Sequence, residues 1–280
     1  MKTLRDKVVV VTGAGSGIGR ALALDLARRG ALLALSDVDE AGLAETLRQA
    51  KAAGATTVRT DRLDVADRDA MGRYALDVVQ ELGRVNVVIN NAGVSLTGDL
   101  VDLEYSDIDW ILGVNLGGVV NGTKEFLPHV IASGDGHVVN ISSLFGLVSM
   151  PGQSMYNATK YAVRGMTEAL REEMLVAGHP VGVTSVHPGG IKTAIARNSR
   201  VSAKTDQAAT ARLFDEKLAK MTPEKAASII VRGILKNQAR VLVGLDAHAV
   251  HTFAKVLGSR YQDVVAKSYK RVVPDNAGVV

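Results

Sequence analysis

The 280-residue sequence predicts an α/β fold: one parallel, doubly wound sheet of about seven strands, helices on both faces, and a C-terminal amphipathic helix. Three observations lead there. Strand-like apolar runs alternate with helix-length stretches from Lys7 to Gly244, which requires crossover connections and hence parallel pairing. A glycine-rich turn, Gly13 to Gly19, joins the first strand to the first helix. The composition, 47% hydrophobic and 22% charged with no low-complexity tract, can fill the core of one domain.

The elements follow in order. Lys7 to Thr12 holds four successive valines and ends at the glycine turn, as a buried strand would. Gly17 to Arg29 is then a helix, Ala31 to Asp37 a strand, Glu40 to Ala53 a helix and Thr57 to Leu63 a strand. Asp67 to Leu82 is helical, Val85 to Asn90 a buried strand, Asp107 to Ser133 one long helix capped near Ser106, and His137 to Ser142 a strand. Met155 to Ala177 forms a helix and Val181 to His187 a strand. Past Pro188 a Gly-Gly pair and a polar stretch over 194–222 break the pattern, and so long a connection in a compact domain reads as a lid or binding loop. Thr222 caps a helix from Pro223 to Lys236, with proline where no amide is needed, and Arg240 to Gly244 is a strand. The main domain is thus expected over 1–247, followed by a basic amphipathic extension over 248–280. In helical geometry, Thr252 to Arg271 collects its basic residues on one arc, with Phe253, Leu257, Tyr261, Val264 and Val265 mostly on the rest. Such a helix is expected to dock on its own subunit or a neighbour, with a membrane surface as the minor alternative.

Composition excludes several chemistries. With no cysteine there is no disulfide, no thiol nucleophile and no Cys-ligated metal, and the six histidines show no ligand spacing, so no metal site is expected. No run approaches the length of a membrane span, and the apolar run Val8 to Val11 enters glycines without a small-residue cleavage site and reads as a strand, so the cytoplasm is the expected location. The net charge of +4 is modest and 4% aromatic content is low, which argues against nucleic-acid binding. Within 248–280, Lys255, Arg260, Lys267, Lys270 and Arg271 outnumber Asp263 and Asp275.

Two constellations carry chemistry. In the turn Gly13-Ala14-Gly15-Ser16-Gly17-Ile18-Gly19 glycines permit positive φ and close approach, while a helix N-terminus offers free amides to a pyrophosphate. Its spacing is G-x-x-x-G-x-G, and the alternative is a purely structural tight turn. Asp37, at the end of the second strand, can accept hydrogen bonds from an adenosine ribose and repel a 2′-phosphate, favouring NAD over NADP; otherwise it simply starts a turn. This is a Rossmann-type arrangement. Tyr156 and Lys160 lie one helical turn apart, where an ammonium can lower a phenol's pKa, although such pairs also arise by chance on surface helices. Either Ser142 or Ser143, at the end of a strand, can face the same site.

From Asp6 to Gly244 the chain resembles the classical short-chain dehydrogenase/reductase family. The matching segments are T-G-A-G-S-G-I-G at 12–19, L-D-V at 63–65, N-N-A-G at 90–93, V-N at 114–115, N-I-S-S at 140–143, Y-N-A-T-K at 156–160 and H-P-G-G-I-K-T at 187–193. The resemblance implies that Gly13, Ser16, Gly17, Ile18 and Gly19 hold the cofactor phosphates, with Asp37 on the ribose and Asp64 and Val65 on the adenine. It implies that Asn91, Ala92 and Gly93 form a floor beneath the cofactor, and that Pro188, Gly189, Ile191 and Thr193 meet the nicotinamide. It implies a catalytic set in which Ser143, chosen by its spacing to Tyr156, binds the substrate oxygen. Tyr156 would exchange the proton, Lys160 would lower the phenol's pKa and bind the ribose, and Asn115 would anchor a water leading to solvent. A homodimer or homotetramer built on the two long helices is likewise implied.

Leu144, Phe145, Leu147, Val148, Met150, Met155, Val94 and Leu96 surround these residues in sequence; lining the site, they imply a largely apolar substrate, and the alternative is that half of them simply pack between helices. The chain lacks the closing V-D-G-G strand of many acyl-carrier reductases in that family. The expectation is therefore an NAD-linked oxidoreductase of a lipophilic secondary alcohol or ketone, of steroid, terpenoid or cyclic-alcohol type. The alternatives are an NADPH-dependent reductase of 3-oxoacyl or other activated carbonyls, and a non-catalytic dinucleotide-binding sensor or scaffold.

Overall fold

The structure, a computed structural model, describes residues 1–272. Seven parallel strands form the sheet: β1 (Val8–Thr12), β2 (Leu32–Asp37), β3 (Val58–Arg62), β4 (Val87–Asn90), β6 (Gly136–Ile141), β7 (Val181–Pro188) and β9 (Arg240–Val243). They are ordered β3-β2-β1-β4-β6-β7-β9. Two short strands, β5 (Leu96–Thr97) and β8 (Arg200–Val201), pair in parallel outside it.

Because both faces of a parallel sheet are covered, its strands are apolar on both sides, and Val8 to Val11 are all fully buried. One face carries α1 (Gly17–Arg28), α2 (Glu40–Ala52) and α8 (Pro223–Leu235), whose Leu22, Leu26, Leu43 and Ile230 join one core. The other carries α3 (Arg68–Leu82), α5 (Gly118–Ala132) and α6 (Ser154–Val176), packed through Met71, Tyr74, Phe126 and Leu170. Thr222 accepts from the Lys225 amide and Pro223 opens α8, as its sequence requires.

Three elements differ from the sequence reading. The single helix expected over 107–133 is broken: α4 (Tyr105–Leu112) and α5 are joined by a π-turn, Gly113–Gly117. Glycines at 113, 117 and 118 weaken the helical ladder there, and a side chain at Gly118 would collide with Val65. The stretch 194–222 holds structure of its own, β8, α7 (Gln207–Leu213) and a second π-turn, Phe214–Leu218. The C-terminal helix is two helices, α9 (Leu245–Leu257) and α10 (Tyr261–Val272), separated at Gly258, whose φ of +56° suits a residue without Cβ.

Ala254 and Tyr261 of this tail pack with Val148, and Leu144 and Phe145 border the same cluster. Lys270 and Arg271 lie where side chains are not described, and Asp275 lies outside the described residues. Among the described residues, no helix is long and apolar enough to cross a membrane and no group of three or more His, Cys, Asp or Glu could hold a metal.

Candidate active site

The chain steps outward from β1 to β3, then returns to place β4 on the other side of β1. Loops leaving the carboxyl ends of these strands part in opposite directions, so a crevice opens between them. A cavity of about 710 Å³ occupies it, and every candidate cofactor residue, with Ser143, Tyr156 and Lys160, lines it. Asn115 lies one layer behind.

The glycine turn is held against the end of β4. Gly13 (φ +66°) lies so close to Ala92 that a Cβ would come within 2.7 Å of its Cα. The Asn91 side chain donates to the carbonyls of Thr12 (2.9 Å) and Gly13 (3.1 Å), and the Thr12 hydroxyl accepts from the amides of Asn91 and Ala92. Asn91 therefore braces the turn as well as the floor. Ser16 sits at the N-cap of α1 with its hydroxyl capping nothing, so the first-turn amides face the crevice without a side-chain partner. Thr193 approaches Gly17 from the opposite wall.

The Asp37 carboxylate accepts from the amides of Gly15 (2.7 Å) and Asp39 (2.9 Å) and still borders the cavity. The nearby cation is turned away: Arg20 is bound to the carbonyls of Gly15 and Gly42 and to Thr46. Asp64 accepts from the Ala66 amide, and the Val65 carbonyl is held by the Asn121 side chain at 3.0 Å.

At the other end of the cavity the serine alternative is decided by geometry. Ser142 donates to the Lys160 carbonyl at 2.7 Å and is spent on the helix backbone, whereas the Ser143 hydroxyl accepts from the Phe145 amide at 3.1 Å and borders the cavity with Tyr156. Burial pushes the Tyr156 phenol up from its ordinary value and the neighbouring Ser143 hydroxyl partly offsets this. The ammonium of Lys160 is 5.6 Å from the Tyr156 ring centre and donates to the Ile141 carbonyl at 3.2 Å. Burial lowers Lys160 to about 8. In the protein alone, then, the phenol is raised, against the lowering expected from the Tyr-Lys spacing; Lys160 is directed at a strand carbonyl instead of the phenolic oxygen.

Asn115 is fully buried within the π-turn. Its side chain accepts from the Val94 amide (2.8 Å) and donates to the Val94 carbonyl (2.9 Å), with a longer contact to Thr159. The extra residue of the π-turn rotates this side chain toward the segment after β4, and π-turns recur at functional sites for this reason.

Sequence reasoning missed His187. Its ring is fully buried behind Ser143, with Nδ1 2.9 Å from the Ser143 carbonyl and Nε2 2.9 Å from the Ser185 hydroxyl. Burial lowers its pKa to about 4. A carbonyl can only accept, so a neutral ring carries its proton on Nδ1 and receives the Ser185 hydroxyl at Nε2. Arg200, in the stretch 194–222, stacks on Trp110, 4.0 Å from the ring centre, and pairs with Asp107 at 2.9 Å. Trp110 lines the cavity, so this contact pins the 194–222 segment to the pocket wall.

Of the apolar candidates, Val94, Leu144, Phe145 and Met150 line the cavity, while Leu96, Leu147 and Val148 are buried in packing and Met155 is partly buried in the cluster around Tyr156. Leu213, Phe214, Leu218 and Trp110 complete an apolar half opposite the glycine turn.

Fold and cavity together define a nicotinamide-dependent oxidoreductase, and the comparisons agree. The family described as short chain dehydrogenase matches residues 7–204. SadH of Mycobacterium tuberculosis, described as an oxidoreductase, is 59% identical over 274 residues, 98% of this chain and 99% of its own. The 3-oxoacyl-(acyl-carrier-protein) reductase FabG of Thermotoga maritima is 35% identical, covering 81% of this chain and 90% of its own. A short chain dehydrogenase/reductase from Burkholderia phymatum, solved in complex with NAD, superposes with a TM-score of 0.84 at 32% identity, over 95% of this chain and 97% of that one. The chain belongs to the short-chain dehydrogenase/reductase family.

Proposed function

We propose that this protein interconverts a lipophilic secondary alcohol and its ketone with NAD, using Ser143, Tyr156, Lys160 and Asn115. One observation carries the reading: Ser143, Tyr156 and Lys160 line the same cavity that receives the open N-terminus of α1. The crevice fits a dinucleotide, since the glycines leave room for a backbone approach and the α1 amides offer donors to phosphate. When bound, the nicotinamide accepts or returns a hydride.

The protein's own residues handle the proton. Ser143 donates to the substrate oxygen, and Tyr156 removes or supplies the hydroxyl proton. The charge of Lys160, together with an oxidised nicotinamide ring, offsets the upward push of burial on the phenol. Asn115 fixes the segment after β4 beneath the cofactor through Val94 and keeps the Lys160 side of the site open to a proton path.

Asp37 supports NAD. Its carboxylate borders the cavity, and the Arg20 guanidinium nearby is bound to backbone carbonyls. The NAD complex of the Burkholderia phymatum relative points the same way. The apolar half of the cavity supports a lipophilic substrate, while similarity to FabG supports a second reading, reduction of a 3-oxoacyl thioester. A panel of secondary alcohols and 3-oxoacyl thioesters, each assayed with both cofactors by nicotinamide absorbance, separates the two: alcohol turnover with NAD is expected, and turnover confined to thioesters with NADPH would overturn the first reading.

We further propose a homo-oligomer assembled through α5 and α6. Val120, Leu127, Pro128, Ile131 and Met166 form an apolar hollow on that face, and light scattering would show a dimer or tetramer.

A further inference from the structure

The tail reaches two of the loops that border the site and lines the cavity itself. At its start, the Asp246 carboxylate accepts from the Gly190 amide at 2.7 Å, holding the Pro188-Gly189-Gly190 turn; a Cβ on Gly189 would clash with that carboxylate. Farther along, the Tyr261 hydroxyl accepts from the Ser149 amide at 3.0 Å, fixing the loop that carries Leu144, Phe145 and Met150 into the cavity. Val265, one turn on, rests on the same apolar cluster. Tyr269 then lines the cavity itself.

From Tyr261 to Tyr269 the chain advances eight residues of α10, roughly 12 Å of helix. At one end of that span α10 is bonded to the loop after β6. At the other, the Tyr269 phenol is within electrostatic reach of Asp99, just beyond β5, on the segment that follows β4. Burial and that carboxylate both push the phenol's pKa up, so it remains a neutral hydroxyl. The helix therefore runs from the loop after β6 to a ring that lines the cavity.

We propose that α10 is the outer wall of the substrate pocket and that Tyr269 is its specificity-determining residue, its ring setting the length of apolar substrate that fits. The inference rests on the alcohol and ketone reading above for its substrate class. Its physical content is steric: Trp110, Phe145, Met150 and Phe214 give an apolar lining without a fixed end, and the Tyr269 ring supplies one.

Trp110 is the only tryptophan and lines this cavity, so its fluorescence reports pocket occupancy whether or not turnover occurs. The full-length protein with NADH bound is titrated with 2-butanone, 2-octanone and 2-dodecanone, and the same ligands are offered to Tyr269→Ala and Tyr269→Phe. Removing the ring is expected to improve the ratio of 2-dodecanone to 2-octanone affinity about tenfold, since one or two methylenes gained in an apolar pocket change selection on this scale. Tyr269→Phe keeps the ring and should hold that ratio within about twofold. A ratio unchanged in Tyr269→Ala, or affinities weakened uniformly along the series, would overturn the proposal. A shifted binding ratio without ketone reduction in any variant would support the pocket wall while refuting the alcohol and ketone reading, so the two failures are distinct.

Discussion

The imidazole of His187 donates from Nδ1 to the backbone carbonyl of Ser143 at 2.9 Å, joining the end of β7 to a residue that lines the cavity with Tyr156. Ser143 is the second residue beyond β6 and its hydroxyl accepts the Phe145 amide, so its peptide is held from two sides. His187 itself is oriented by Ser185, which lies on the same side of the same strand.

His187 is therefore a positioning residue in this arrangement. His187→Ala is expected to lower kcat about tenfold or more, with substrate KM and NAD affinity within about twofold, because precise placement of a donor matters most in the transition state. His187→Asn, which retains a side-chain donor, should recover part of the rate. Steady-state kinetics with a parallel NADH titration check this, and loss of cofactor binding in step with kcat would mean a general folding defect instead.

The two buried histidines make stability fall in mild acid. Burial lowers His187 to about 4 and His137 to about 3, whereas in the unfolded chain both titrate near the ordinary value of about 6.5. Between these values the unfolded state binds protons that the folded state refuses, so stability is full above the unfolded pKa and drops as pH falls. With two protons taken up, the slope approaches about 2.7 kcal/mol per pH unit between roughly pH 6 and pH 4. Urea denaturation at several pH values measures it, and replacing either histidine by glutamine should remove about half the slope.

Tyr156→Phe is expected to cut turnover by about a thousandfold while leaving NAD binding nearly intact, since only the exchanging proton is lost. In the wild type, kcat/KM for alcohol oxidation should rise with pH until the phenol is ionised. Lys160→Met should move that rise to higher pH, because the cation that favours the phenolate is gone. A pH profile that does not move would remove Lys160 from that role.

Asp37→Asn removes the negative charge at the edge of the cavity but keeps a carbonyl able to accept the Gly15 amide. Preference for NAD over NADP should fall by about tenfold or more. The weakened hold on the Asp39 amide should cost about 1 kcal/mol in folding stability. Kinetics with both cofactors, beside thermal unfolding, separates the two effects.

The parts legible in the sequence are those that short-range pattern dictates. The valines before Gly13, the glycine turn itself, the Thr222-Pro223 cap and the one-turn spacing of Tyr156 and Lys160 each depend on residues within a few positions of one another. Strand and helix alternation then fixed a parallel sheet, and parallel connections left a crevice at the point where strand order reverses. The choice between Ser142 and Ser143 was different, since neighbouring residues on a strand end face opposite sides and only the position of the Lys160 carbonyl shows which serine is spent.

Tertiary structure alone decided the contacts between residues far apart in the chain. His187 meets Ser143 across 44 positions and Tyr261 meets Ser149 across 112, and no local periodicity encodes either meeting. The break at Gly258 and the π-turn around Asn115 likewise exchange ideal helix geometry for packing that the flanking sequence does not reveal. The sequence therefore determined the sheet, the glycine turn and the one-turn spacing of Tyr156 and Lys160, because these follow from backbone propensity and fixed spacing. The pocket's outer wall and the group behind Ser143 were set by how finished elements pack, where side-chain shape and burial choose among many arrangements the same local pattern allows.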